Sequence, residues 1–223
     1  MLNWTRPAII LSAAVVMALA SIWYVTLGPS AAPEVALGQS PAVHHPEISG
    51  FRSVKRELVA QPWSAFNFQL TNYDGTPTGL TDLAGRVVLV SFTYTNCHEA
   101  CPLLTEGYLM IQEKFPEQLK AQSLALVFIT TDPERDTTDR LREYTMGRGA
   151  KWLFLTGSTQ ELKSVWDRYG IYWEIQKRLE EIVVYHSYKT FLIDERGDVR
   201  YQYEGVWQPA DVMNDMETLL KET

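Results

Sequence analysis

The chain has 223 residues, 46% of them hydrophobic and 12% aromatic, which is enough for one ordinary domain with a full core plus appendages. Its formal net charge is −7, and no stretch clusters Lys and Arg on one predicted face. Broad electrostatic binding to nucleic acid is therefore excluded as its business.

Between Arg6 and Glu34 the sequence has no charged residue, and Pro7 to Leu27, "PAIILSAAVVMALASIWYVTL", is almost wholly apolar. That length suits a transmembrane helix of about 20 residues. Arg6 is the only basic residue before Arg52, so the positive-inside bias puts the N-terminus in the cytoplasm and the body outside. A cleaved signal peptide, cut at the small residues Ala18-Leu19-Ala20, is the competing reading. Cutting there leaves "SIWYVTL" as an exposed apolar tail, which favours the anchor. A mitochondrial presequence fits poorly, because such segments are Arg-rich and amphipathic. The expectation is a single-pass protein of a bacterial cytoplasmic membrane, with its C-terminal domain in the periplasm or outside the cell.

Residues 28–59 carry scattered Pro, Ala and Ser without apolar period and read as a tether between the anchor at 1–27 and a domain at 60–223. Extended like polyproline, about 30 residues reach roughly 90 Å. The pair His44 and His45 lies within it, with no other ligand nearby in sequence, and reads as solvated linker.

The pattern then becomes globular. "FNFQLTNYDGTPTGL" alternates apolar and polar residues about a turn at Asp74-Gly75, an N-terminal hairpin. "GRVVLVSFTY", 85–94, is a continuous apolar run and predicts a strand buried on both faces. Leu103, Leu104, Tyr108, Ile111 and Phe115 recur at roughly helical spacing until Pro116. A second buried strand follows at 123–132, then a helix in "TTDRLREYTMG", a strand in "KWLFLTG", and a helix capped by Ser158 with Glu161 three residues on. "YKTFLIDERGDVRYQYEG" is a hairpin turning at Glu195-Arg196-Gly197, and Pro209 opens a final helix. This order predicts an α/β fold with a central mixed sheet flanked by helices.

The only two cysteines, Cys97 and Cys101, fall in "SFTYTNCHEACP", where the first buried strand meets a helix N-terminus. In open α/β sheets that end of a strand holds ligands and reactive groups, and here it gives the thioredoxin-like arrangement. A helix dipole lowers the pKa of a thiol at its N-terminus, so Cys97 or Cys101 is expected as thiolate near neutral pH. A structural disulfide across so small a loop removes little chain entropy, which leaves metal binding and disulfide exchange. Redox enzymes of this type use two intervening residues, and here three intervene, a wider loop in which two sulfurs can face one ion. Two sulfurs underligate a soft metal, so a third ligand is needed. His186, in "VVYHSYKTFLID", lies in the loop where an oxidoreductase of this fold places a cis-proline, and the chain has no proline between Pro133 and Pro209.

"FTYTNCHEACP", "TTDPERDT" and "HSYKTFLID" together resemble the Sco/SenC family, over about residues 60–222 plus the anchor. The resemblance implies a thioredoxin-like domain that holds copper, as Cu(I) or Cu(II), through Cys97, Cys101 and His186. It also implies delivery to the copper-centre subunit of a cytochrome c oxidase, a copper donor chaperone and a thiol reductant as further partners, and a membrane anchor. The alternative is a thiol-disulfide oxidoreductase or redox sensor using Cys97 and Cys101 as its catalytic pair. The family commonly has Pro-Asp-Val between the cysteines where this chain has His98-Glu99-Ala100, and an acidic residue where it has Tyr185. His98 is an accessory candidate. Asp132 and Asp136 divide between two roles: ending the strand and capping the helix at Thr137, or forming an acidic patch that faces a partner.

Overall fold

A computed structural model of the chain describes residues 55–98, 100–178 and 181–222. The expected transmembrane helix, His44, His45 and most of the tether lie outside them. No helix among the described residues is long and apolar enough to cross a membrane.

In chain order the strands are β1 (Lys55–Ser64), β2 (Gln69–Asn72), β3 (Pro77–Gly79), β4 (Val87–Thr93), β5 (Leu124–Thr130), β6 (Leu153–Thr156), β7 (Trp173–Arg178), β8 (Glu181–His186), β9 (Lys189–Ile193) and β10 (Asp198–Glu204). The helices are α1 (Cys101–Lys114), α2 (Pro116–Lys120), α3 (Thr138–Met146), α4 (Thr159–Arg168) and α5 (Pro209–Glu222). Eight strands form one mixed sheet in the order β1-β10-β9-β4-β5-β6-β2-β3, and β7 and β8 form a separate antiparallel hairpin. Strands β4, β5 and β6 run parallel, while β9 lies antiparallel against the other side of β4.

Strand alternation explains why β4 and β5 are apolar throughout. Val87 and Leu89 face a core shared with Leu104, Tyr108 and Ile111 of α1 and with Val212, Met216 and Leu219 of α5. Val88, Val90 and Phe92 face a second core with Leu162, Val165 and Trp166 of α4. A sheet covered on both faces has no solvent side, so its central strands lose the apolar-polar alternation. The turn at Asp74-Gly75, the capping box of Ser158 with Glu161, and the β9–β10 hairpin stand where sequence pattern puts them.

Two elements differ from that pattern. Strand β1 begins at Lys55, within the stretch read as tether, and pairs along the edge with β10. Its register shifts between Leu58 and Trp63, around Pro62, and Arg56 to Leu58 are exposed. Such an edge strand has no apolar run to announce it. The β7–β8 hairpin is also unannounced, because β7 is half-buried from Trp173 to Gln176 with no buried face, and "WEIQKR" reads as polar. His186 is thus the last residue of a strand, paired with Trp173, and not a loop residue.

Candidate metal centre

The C-terminal ends of β4 and β5 are joined by a final bond from Thr131 N–H to the Thr93 carbonyl at 2.9 Å. Beyond it the chain leaves β4 through Tyr94 to Ala100 and enters α1, whose first residue is Cys101. Pro102 fits this first turn, where a backbone N–H has no helical acceptor. The exit is braced by Asp136. Its carboxylate accepts from Thr95 N–H at 3.1 Å, from Thr95 Oγ1 at 2.6 Å and from Thr130 Oγ1 at 2.6 Å. The helix cap expected of Asp136 is supplied by Thr137, whose hydroxyl accepts from Arg140 N–H at 3.3 Å. Asp132 Oδ2 accepts from Arg135 Nε, and the Asp132 N–H donates to Thr130 Oγ1 at 2.9 Å. Both aspartates are 0% exposed, so the expected partner-facing acidic patch is ruled out. Burial pushes both carboxyls above their ordinary range, and the hydrogen bonds pull them partly back.

Cys97 and Cys101 are both buried, Cys97 at 8% exposure and Cys101 at 1%. The Cys101 thiol is hydrogen-bonded to the Cys97 thiol, and that bond together with burial drives its pKa well above the thiol range. The Thr93 hydroxyl and the Tyr94 backbone act in the opposite direction and are outweighed. The expectation of a dipole-lowered thiolate thus fails for Cys101: two thiols sharing a dry site oppose ionisation more than one helix end favours it. His98 is exposed.

His186 is 8% exposed at the end of β8. Its Nδ1 lies 3.1 Å from the Ser187 carbonyl, which can only accept, so Nδ1 carries the proton and Nε2 the lone pair. Nε2 is buried and has no hydrogen-bond partner among the described residues. Burial lowers the imidazole pKa to about 4, so the ring is neutral at physiological pH. A neutral imidazole, oriented through Nδ1 and bare at Nε2, is the form in which histidine binds a metal.

Tyr94 connects the thiols to the imidazole. Its ring meets His186 edge-on at 5.7 Å, its hydroxyl donates to the Val184 carbonyl of β8 at 3.3 Å, and the same hydroxyl stands beside the Cys97 thiol. The hairpin is tied down by two further bonds, Trp173 Nε1 to the Thr131 carbonyl at 2.7 Å and Arg135 Nη1 to the Ile182 carbonyl at 3.0 Å. Among the described residues no three His, Cys, Asp or Glu side chains are gathered closely enough to hold a metal ion. The structure brings the two thiols together and leaves the imidazole one tyrosine away. In donor chemistry, two sulfurs and one bare nitrogen fit a soft metal.

Tyr94, Thr95 and Arg135 stand inside the quoted motifs without a role of their own, and only tertiary contacts give them one.

The family model described as SCO1/SenC matches residues 60–221. The mouse "Protein SCO1 homolog, mitochondrial" is 30% identical over 149 residues, covering 66% of this chain and 51% of its own. The chain spans about half the length of the first curated relatives it matches. Among solved structures, Arabidopsis thaliana ScoI with copper bound is similar at 25% identity and a TM-score of 0.61, covering 72% of this chain and 100% of that one. BsSco, described with a disulfide switch and as a member of the Sco family of cytochrome c oxidase assembly proteins, is 26% identical at a TM-score of 0.55, covering 72% and 96%.

Proposed function

The chain belongs to the SCO1/SenC family, and on that premise we propose that it binds copper through Cys97, Cys101 and His186 and delivers it to the copper-centre subunit of a cytochrome c oxidase during assembly. The observation that carries this reading is the bare, buried Nε2 of His186, one tyrosine from two adjacent thiols. A buried nitrogen without a partner costs stability, so a site that keeps one has a use for its lone pair. The copper-bound Arabidopsis relative and the oxidase-assembly description of BsSco support the choice of metal and recipient.

Two thiolates and an imidazole suit Cu(I), and the imidazole also suits Cu(II). Binding releases the thiol protons, because the metal supplies the positive charge that the dry site lacks. A copper donor and a thiol reductant are the further partners, since oxidising the two cysteines removes both sulfur ligands. We place the domain outside the cytoplasmic membrane of a bacterium, held by the apolar segment at 7–27.

The second reading is a thiol-disulfide oxidoreductase or redox sensor. It is favoured by the direct contact of the two thiols and by the similarity to BsSco with its disulfide switch. His186→Ala separates the two. Under the copper reading, Cu(I) competition against a chelator weakens and oxidase activity falls in cells, as in Cys97→Ser, although both thiols remain. Full oxidase activity with His186→Ala alongside its loss with Cys97→Ser would make the oxidoreductase reading the better one.

A further inference from the structure

On the α3 side of the cysteine loop lies a cleft of about 510 Å3, lined by Thr95, Arg140, Glu143, Tyr144, Gly147 and Arg148. Its size is that of a small-molecule site. Thr95 stands two residues before Cys97. The back wall also leads to the cysteine backbone: Tyr144 Oη and Thr105 Oγ1 share a hydrogen bond of 2.8 Å, and Thr105 Oγ1 donates to the Cys101 carbonyl at 2.9 Å.

The two arginines of the cleft differ. Arg140 donates from Nε to Thr95 Oγ1 at 3.2 Å and from Nη1 to Glu143 at 3.0 Å, so its charge is largely answered. Arg148 has no carboxylate partner among the described residues. Its guanidinium lies 3.6 Å over the Tyr144 ring, and Nη1 donates to the Tyr144 carbonyl at 3.0 Å. The cation is held flat in place, with donors remaining, in a chain whose net charge is −7. A guanidinium already fixed in position loses little entropy when it takes an anion.

We propose that this cleft binds the carboxylate of a small carboxylate-bearing thiol, with Arg148 as the anion-binding residue, and so recruits the reductant that returns the Cys97–Cys101 disulfide to the dithiol. The proposal rests on the copper reading above, in which the pair must be reduced before loading. The incoming thiolate attacks at Cys97, a residue 8% exposed against 1% for Cys101. A bond forms between the reductant sulfur and Cys97, the Cys97–Cys101 bond breaks, and Cys101 leaves with the electron pair and takes up one proton. A second thiolate attacks the reductant sulfur of the mixed disulfide and releases Cys97. Two reductant thiols are thereby oxidised to their disulfide, and the protein disulfide is reduced by two electrons.

The test uses the full chain, oxidised at Cys97–Cys101, and three thiols of similar size: mercaptopropionate (anionic), mercaptoethanol (neutral) and cysteamine (cationic). Reduction is followed at low ionic strength by alkylation and mass, with rates normalised to thiolate concentration. One guanidinium on the wall of the cleft is expected to favour the anionic thiol by about two- to fivefold over the neutral one. Arg148→Gln is expected to abolish that preference and Arg148→Glu to reverse it, with the mercaptoethanol rate unchanged in both. Succinate, a carboxylate without a thiol, is expected to slow mercaptopropionate and not mercaptoethanol in the parent. An anionic preference that survives in Arg148→Gln overturns the proposal, as does a common fall of all three rates, which would make Arg148 a support of the loop. If mercaptoethanol itself fails to reduce the parent, the redox step beneath the proposal falls, and the proposal with it.

Discussion

Arg135 is expected to control copper affinity without touching the metal. It donates to the buried carboxylate of Asp132 on one side and, from Nη1 at 3.0 Å, to the Ile182 carbonyl of the hairpin that carries His186 on the other. The Asp132 side chain is 1% exposed, so Arg135→Met strands a buried carboxylate and is expected to cost about 3–5 kcal/mol of stability. Adding Asp132→Asn removes the stranded charge and is expected to restore most of that loss. It does not restore the tie to Ile182. A hydrogen bond from a charged donor contributes about 1.5–3 kcal/mol. If that energy holds the hairpin in its binding position, losing it lowers the population with His186 in place, and the affinity for Cu(I), by at most about 10- to 150-fold, less by whatever the remaining Trp173 and Tyr94 bonds retain. The assay is Cu(I) competition against a chelator on the double variant, with guanidinium unfolding to establish that it is folded and amide exchange to follow β7 and β8. A folded double variant that binds copper as tightly as the parent would refute the positioning argument.

Burial lowers the His186 pKa from its ordinary 6.5 to about 4, so the unfolded chain takes up the proton first. Stability is therefore complete above the unfolded value and is lost as pH falls through that window, by about 3 kcal/mol at most. Denaturant midpoints measured near neutrality and at about pH 4.5 should show a shallower loss in His186→Gln; Asp132 and Asp136, raised by burial, act with opposite sign but are common to both proteins. Asp136→Ala leaves Thr95 N–H and two hydroxyls without their acceptor, and a loss of about 2–4 kcal/mol is expected in chemical unfolding, with faster alkylation of Cys97 as the loop loosens. In Gly107→Ala the new Cβ meets the buried Trp207 ring at 2.6 Å. Overpacking of about 1–3 kcal/mol then outweighs the gain in helix propensity of about 1 kcal/mol, so the melting temperature is expected to fall.

Much of this protein is legible along the chain, because the physics involved is local. A strand buried on both faces must be apolar throughout, so "VVLVSF" and "LALVFI" announce β4 and β5 before any contact is known. Ser158 with Glu161, Asp74-Gly75 and Pro209 announce a helix start, a turn and a second helix start, because caps and turns satisfy backbone groups within a few residues. Position at the end of β4 likewise marks Cys97 and Cys101 as the candidate site.

Other features depend on partners far away in sequence. Asp136 reads as a helix cap, but Thr95 and Thr130 converge on it and make it the brace of the cysteine loop. Cys101 heads a helix, and its thiol is nevertheless pushed up, because the neighbouring thiol and burial outweigh the dipole. The β1 strand and the β7–β8 hairpin have no apolar run to reveal them; β1 exists through its pairing with β10, and the hairpin, paired within itself, is fixed in place by the bonds of Trp173, Tyr94 and Arg135. His186 was found as a residue type at a plausible place. Its neutral state, its bare Nε2 and its distance of one tyrosine from the thiols come from burial and from contacts that cross up to 90 positions, which no local pattern encodes.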